Sequence, residues 1–252
     1  MVESNDCEIK GELLSFNTSF RETDLCIWSQ CELREEALKI VLKCRSSLDD
    51  YVERYPSFRT ALEPFPVKED APSIVKEMSK MTERVSVGPM AAVAGAIAQK
   101  VGEELLAITP EIIVENGGDI FIKVDRKKVI NIYAGESPFI GEIALEIEPE
   151  DMPLGVCTSS GMLGHSFSFG RADAVIALAP SATLADAAAT AICNQIMDVS
   201  DIPKGIEFAQ RIDGLEGVVI LKDNTMGRCG KVNLIGPKLF LQNRKVEIVS
   251  FS

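Results

Sequence analysis

Three short stretches of this 252-residue chain carry side chains whose types and spacing could do chemistry. The first, Asn116-Gly117-Gly118-Asp119, directly follows the apolar run Ile112-Ile113-Val114. Paired glycines permit positive φ and leave amides that a phosphate or a flat ring can approach, although Asn-Gly equally favours a plain hairpin turn. The second runs from Ser181 to Thr190 and sets Asp186 and Thr190 one helical turn apart, among alanines too short to shield them. A carboxylate and a hydroxyl so placed could ligate Mg²⁺. Thr183 and Asp186 also have the spacing of a capping box, which accounts for Asp186 and leaves Thr190 unexplained. The third, Cys157 to Asp173, gathers the hydroxyls of Thr158, Ser159 and Ser160, the flexible Gly161, the base His165, and the charges of Arg171 and Asp173. Phosphate recognition would use all of these; a solvated loop with an alternating strand at 166–169 is the plainer alternative. A serine hydrolase is disfavoured because no Gly-x-Ser-x-Gly elbow occurs here.

Composition narrows the ligand classes. With 38 acidic and 26 basic residues the net charge is −12, which repels polyanions and argues against nucleic acid as a partner. His165 is the one histidine, so a bound cation is expected to be hard and oxygen-ligated, with magnesium the natural choice. Seven cysteines without a Cys-x-x-Cys pair suggest neither a disulfide framework nor a zinc site, and all seven are expected to be free thiols. The longest run of small and apolar residues, Met90 to Ala98, falls well short of the roughly twenty that a bilayer requires. The opening Met-Val-Glu-Ser-Asn-Asp lacks the basic and apolar regions of a signal peptide, and a cytoplasmic location is expected.

The elements that must position these residues can be read from periodicity. Strands at 11–20 and 24–29 precede a helix over 34–53, in which Ala37, Ile40, Val41 and Cys44 recur at spacings of three and four. Prolines at 56, 64, 66 and 72 mark an irregular crossing, followed by an amphipathic segment with Ile74, Val75 and Met78. Pro89 suits the first turn of a helix of very small residues reaching Leu106, whose backbone something must approach closely. Strands follow at 111–115, 120–124, 129–134 and 143–147. The hydroxyl-rich 157–170 stretch leads to a strand at 174–179 and a second alanine-rich helix over 181–197, and a helix (204–212) and strands near 217–222 and 245–251 complete the chain. The class is α+β, with mostly antiparallel sheets packed against helices in a single domain, 1–252, or in two intimately packed subdomains. The likeness of the helices after Pro89 and Pro180 hints at an internal duplication.

In this order and separation the three stretches resemble the ApbE-type flavin transferases, in which a Gly-Gly-Asp turn, a Thr-Ser-Gly segment and an Ala-Asp-Ala-x-Ala-Thr helix surround a flavin and a magnesium ion. Gly95-Ala96-Ile97-Ala98 resembles that family's Gly-Gly-Ile-Ala-Lys-Gly segment. The strings VGPMAAVAGAIA, VENGGDI, CTSSG, GHSFSFG and ADAAAT are similar to a shorter, UPF-type branch of the same superfamily. The resemblance implies that Asp186 and Thr190, with the Ala98 carbonyl, ligate Mg²⁺, and that Asn116, Gly117, Gly118, Asp119 and residues Thr158, Ser159, Ser160 and Gly161 line the flavin or its phosphates. It further implies Mg²⁺-dependent transfer of FMN from FAD to a threonine or serine of an acceptor protein, with His165 as proton acceptor. Two departures separate the chain from the transferases. Their His-x-x-Asp-Pro-x-Thr-Gly loop is replaced by the shorter 164–170 segment, and the lysine expected after Ala98 is Gln99, with Lys100 turned about 100° away around the helix. A protein that binds a flavin, a nucleotide or another metabolite without turnover is the alternative these departures imply.

Overall fold

The computed structural model of the chain describes residues 13–132, 143–161, 169–236 and 247–250. Strands β1 (Leu14–Phe20) and β2 (Thr23–Ser29) form a hairpin, and β2 alternates so that Thr23, Leu25, Ile27 and Ser29 turn inward. Helix α1 (Arg34–Arg54) buries Ala37, Val41 and Cys44 of the expected stripe, with Ile40 half-buried, and also buries Leu48. The proline-marked crossing contains one short helix, α2 (Pro56–Thr60), with Pro56 in its first turn, and leads into α3 (Ser73–Glu83). Pro89 opens a 3-10 turn, Pro89–Ala92, and α4 (Val93–Leu105) continues from it.

Strands β3 (Ile112–Asn116), β4 (Asp119–Lys123), β7 (Leu154–Ser159), β8 (Ala174–Ala179), β9 (Gly217–Lys222) and β10 (Thr225–Gly230) extend the first hairpin into a nine-stranded sheet. Its order is β1-β2-β3-β4-β7-β8-β9-β10-β12, with β12 spanning Glu247–Ser250. Neighbours are antiparallel except β10 and β12. The helices, including α5 (Ala182–Cys193) and α6 (Ile202–Gln210), cover one face. A three-stranded sheet, β5 (Lys128–Asn131), β6 (Ala144–Ile147) and β11 (Leu234–Ile235), contributes to a second core on the other face. The fold is therefore α+β, as expected. Covering both faces explains why β8 reads as an unbroken apolar run: Val175 and Ala177 face the helices while Ala174, Ile176 and Leu178 face the small sheet.

Several expectations need correction. Residues 157–159, expected within the hydroxyl-rich 157–170 stretch, belong to the central strand 154–159, because pairing with β4 and β8 outweighs their polar composition. Thr225–Gly230 forms a strand that its two glycines concealed, and Gly227 lies where a Cβ would strike Ile202. Helix α5 stops at Cys193 and not at Met197. Cys26, Cys44, Cys157, Cys193 and Cys229 are free, but Cys31 is disulfide-bonded, contrary to the expectation of seven free thiols. Among the described residues no helix is long and apolar enough to cross a membrane.

A buried carboxylate anchors the start of β3. Glu111, 2% exposed, accepts from Gln30 Nε2 at 2.8 Å, the Asp125 amide at 3.0 Å and an Arg126 guanidinium nitrogen at 3.0 Å. Burial opposes its ionisation, but hydrogen bonds from Asp125, Arg126 and Gln30 outweigh burial and hold it at about 2. Glu111→Gln forces an amide NH₂ against one of these donors and should lower stability by about 2 kcal/mol at neutral pH. A carboxylate depressed by folding stabilises above its ordinary range and loses that contribution as pH falls through its folded value. Urea denaturation should therefore show wild type and variant converging between about pH 5 and pH 2, and a gap that persists at pH 2 would contradict the assignment.

Candidate functional site

The site forms where the sheet's helix-covered face meets the crossing of α4 and α5. Phe121 packs in the helix-side core, so Asp119, two residues earlier on β4, faces the same way. Cys157 and Ser159 face that side from β7 by the same alternation. The Asn116-Gly117-Gly118-Asp119 segment is the tight hairpin between β3 and β4, with Asn116 paired to Asp119 and φ of 62° and 103° at the two glycines. These are backbone conformations suited to glycine. Asn116 and Asp119 are nonetheless buried, at 6% exposure each.

Asp186 projects from α5 to the beginning of α4. Its Oδ2 accepts from the Gly95 amide at 2.8 Å, and the Ala94 amide also bonds to the carboxylate. It thus serves as a cap supplied by another helix, satisfying amides that the first turn of α4 leaves without intrahelical partners. The capping-box alternative does not hold. Ser181 is the N-cap of α5, its Oγ accepting from the Leu184 amide at 3.2 Å, while Thr183 bonds to Gln99 Oε1. Close approach of the helices depends on Gly95, where a Cβ would run into the Ala182 carbonyl and the Asp186 side chain. The small residues after Pro89 signalled this contact without naming its partner.

Asn116 Nδ2 donates to the Ala94 carbonyl at 3.0 Å, tying the hairpin to the same helix start. Asp119 Oδ1 accepts from the Thr158 amide at 3.2 Å. Two buried carboxylates are thereby brought together, one from the sheet and one from the helix. Burial pushes Asp119 well above the usual carboxylate range, and the nearby Asp186 charge adds to the shift. Burial raises Asp186 to about 7 even though the Gly95 and Ala94 amides favour its charged form. The Cys157 thiol, which donates to the Ala182 carbonyl at 3.3 Å, is held well above its ordinary range by burial and then by both acids. No group of three His, Cys, Asp or Glu side chains suited to a metal occurs among the described residues. The charged donors here are the two acids.

Thr190 is buried one turn beyond Asp186. Ser159, 4% exposed, has a fully buried Oγ without a partner. Ala98 is buried in the middle of α4, where its carbonyl faces the Gly102 amide along the helix. The Gly118 amide is taken by Glu115 Oε1 at 2.7 Å and is not bare. Thr158 and Ser160 are half-buried, and Gly161 donates its amide to the Ala172 carbonyl at 3.0 Å. His165 lies outside the described residues. The chain on either side of 162–168 meets the far end of α5: a Cβ on Gly161 would strike Gly170, one on Gly170 would strike the Cys193 carbonyl, and the Phe169 amide donates to Asn194 Oδ1 at 2.8 Å. Surface grooves of about 250 and 270 Å³ lie away from the acid pair, one lined by Glu146, Leu154 and Lys231 and the other between α3 and α4, reaching Gln99 and Thr183.

Gln99 occupies the other end of the helix crossing. Its Oε1 accepts from Ser181 Oγ at 3.0 Å, the Thr183 amide at 3.1 Å and Thr183 Oγ1 at 3.2 Å, while Nε2 donates to Glu103 at 2.8 Å. This contact with the first turn of α5 was not evident from the sequence. A lysine here would have no acceptor to offer those donors.

A family model described as AbpE bacteria matches residues 7–207. The chain belongs to this family. A UPF0280 protein of Methanopyrus kandleri is 42% identical over 228 residues, covering 87% of this chain and 91% of the relative. Another, from Methanocella arvoryzae, is 39% identical over 213 residues, covering 84% and 86%. Among solved structures, the apo flavinyl transferase ApbE of Pseudomonas stutzeri superposes with a TM-score of 0.58 over 92% of this chain and 96% of that one, at 15% identity. The flavin transferase ApbE of Vibrio cholerae gives 0.56 over 92% and 99%, at 16% identity. These two establish that this AbpE-family chain shares the ApbE fold.

The acid pair predicts how stability depends on pH in the absence of cations. Folding favours the protonated form of a carboxylate whose pKa it raises, so this contribution is complete below about pH 4 and is lost as pH rises through about 7. In a chelator, the melting temperature should fall between pH 5 and pH 8, reflecting a cost on the order of a few kcal/mol. Asp186→Asn, which retains a capping oxygen, should flatten that interval. Equal slopes in wild type and variant would show that Asp186 is not a raised acid.

Proposed function

We propose that this AbpE-family chain is a flavin- or nucleotide-binding protein that engages its ligand through Mg²⁺ held at Asp186 and Thr190, with FMN transfer from FAD to a protein serine or threonine as its activity. The observation that carries this reading is the buried Asp119–Asp186 pair, with the Thr190 side chain buried one helical turn beyond Asp186. Like charges in a buried place call for a proton or a cation between them, and oxygen donors without imidazole or thiolate ligands suit a hard ion. The residues therefore fit Mg²⁺, with Asp186 as the charged ligand and Thr190 as a neutral one. The Ala98 carbonyl would join as a third, using the lone pair its helix leaves free.

When bound, the ion would neutralise and polarise a pyrophosphate, which is the chemistry that metal-assisted phosphoryl transfer requires. The residues of the chain would do the rest. Asn116 and the hairpin fix the edge of the cradle against α4, and the Gly117–Gly118 turn presents a face on which a Cβ at either glycine would meet nothing within 4 Å. Thr158 steers Asp119 through its amide. Thr158, Ser159, Ser160 and Gly161 would border the ligand, and His165 would accept the acceptor's proton near neutral pH. Binding without turnover is favoured by one observation: Gln99, where the transferases have lysine, is committed to the first turn of α5.

Isothermal titration of FAD and FMN with and without Mg²⁺ tests the assignment. Wild type should bind at least one of them more tightly with the ion, while Asp186→Asn and Thr190→Val should lose most of that enhancement and remain folded. Wild-type protein that binds neither under either condition contradicts the flavin reading. His165→Ala should slow transfer and keep ligand affinity within a few-fold; transfer that is absent in wild type, despite Mg²⁺-dependent binding, favours the non-catalytic reading.

A further inference from the structure

We propose that Asp119 and Ser159 are themselves cation ligands, so that the ion sits between the sheet and α5 and is held by two carboxylates and two hydroxyls. This rests on the proposed function for the presence of a cation and adds which groups hold it.

The placement follows from strand register. Ile120 pairs with Val156, so Asp119 comes opposite Cys157, and Ser159 is its diagonal neighbour on the same face. Asp119 is held against β7 by its bonds to the Thr158 amide and the Cys157 side chain. From α5 the same place is reached independently. Gly155 and Cys157 contact Ala182, while beyond Ser159 the chain at Gly161 meets Gly170, which abuts Cys193. Ser159 therefore lies beneath the middle of α5, the stretch that carries Asp186 and Thr190. Its hydroxyl is fully buried and without a hydrogen bond, although an unmade buried bond costs about 1–3 kcal/mol. A serine there without a protein partner, on the face that carries Asp119 and beneath the stretch of α5 that carries Asp186 and Thr190, completes the donor set of a hard cation site.

Mn²⁺ alone, titrated with detection of the free ion by electron paramagnetic resonance, reads the site without any flavin or turnover. Asp119→Asn should weaken Mn²⁺ binding at least tenfold, comparably to Asp186→Asn, and Ser159→Ala should weaken it several-fold. Melting in EDTA separates a ligand from a packing role: Ser159→Ala should leave the metal-free protein as stable or more stable, because the orphaned hydroxyl is gone, yet reduce the stabilisation that Mn²⁺ gives. Ser159→Cys should shift preference from Mn²⁺ toward thiophilic Cd²⁺ relative to wild type. If Asp186→Asn abolishes Mn²⁺ binding while the Asp119 and Ser159 variants bind like wild type, the two-carboxylate site is wrong and the proposed function stands. If wild type holds no Mn²⁺, both fall. Should Asp119→Asn not fold, the Ser159 variants alone decide the matter.

Discussion

The bond between the Asp186 carboxylate and the first amides of α4 is the constraint on which the rest of this arrangement depends. For a side chain of α5 to reach the Gly95 amide at 2.8 Å, the two helices must approach within backbone contact. That approach is open to glycine at 95 and closed to any residue with a Cβ. It also explains the alanines: Ala182, Ala185, Ala187, Ala188 and Ala189 are all fully buried, and α5 is enclosed by α4, the sheet and α6. Small side chains bring little hydrophobic area individually, so α5 is held by being enclosed on every side. Gln99 closes the crossing at its far end by bonding to Ser181 and Thr183. The contact that shapes the core thus also carries a carboxylate into it.

Burying that carboxylate is unfavourable, and the fold offsets the cost only in part. The N-terminus of α4 offers partial positive charge and two amides, which favour the ionised form. Asp119 comes from the other side and has its own charge-favouring bond to the Thr158 amide, while the Asp186 charge adds to its rise. Asp119 is bonded by the Thr158 amide and the Cys157 side chain and Asp186 by the Gly95 and Ala94 amides, yet burial outweighs these bonds and leaves both raised. A pair built only for packing would gain from replacement by isosteric amides, which could bond to each other and to the same amides. The Ser159 hydroxyl adds to the imbalance, because it supplies no hydrogen bond to the acids.

Much of this could be read in the sequence, and the parts that could not share a cause. Asp186 and Thr190 stood out because alanines surround them, and the paired glycines at 117 and 118 marked a turn whose positive φ values the structure contains. The helix and strand periods placed α1, α4, α5 and β8 nearly where they are. What stayed hidden is long-range. A capping box and a cap to another helix look alike in sequence, since Thr183 and Asp186 have the right spacing whichever amides the acid reaches. Residues 157–159 of β7 fall in a hydroxyl-rich stretch, and only the place of β7 between β4 and β8 makes them strand. Gln99 looked like a lost lysine, yet its three bonds give it a positive structural use. The meeting of Asp119 with Asp186 joins residues 67 positions apart, a distance no local pattern spans.

The charge of the whole molecule bears on how an anionic ligand could reach such a site. At −12 the chain repels nucleotides at long range, and at short range a phosphate would face two acids and the Glu115 carboxylate that holds the hairpin amide. A helix N-terminus often receives phosphate directly, but here Asp186 already occupies the amides of α4. The hairpin offers little compensation once Gly118 is engaged. On the proposed function, attraction to a phosphate comes from the cation, because the two acids and the engaged hairpin amide do not supply it. Cation binding then has to precede or accompany nucleotide binding, and the order of the two events follows from the sign of the charges.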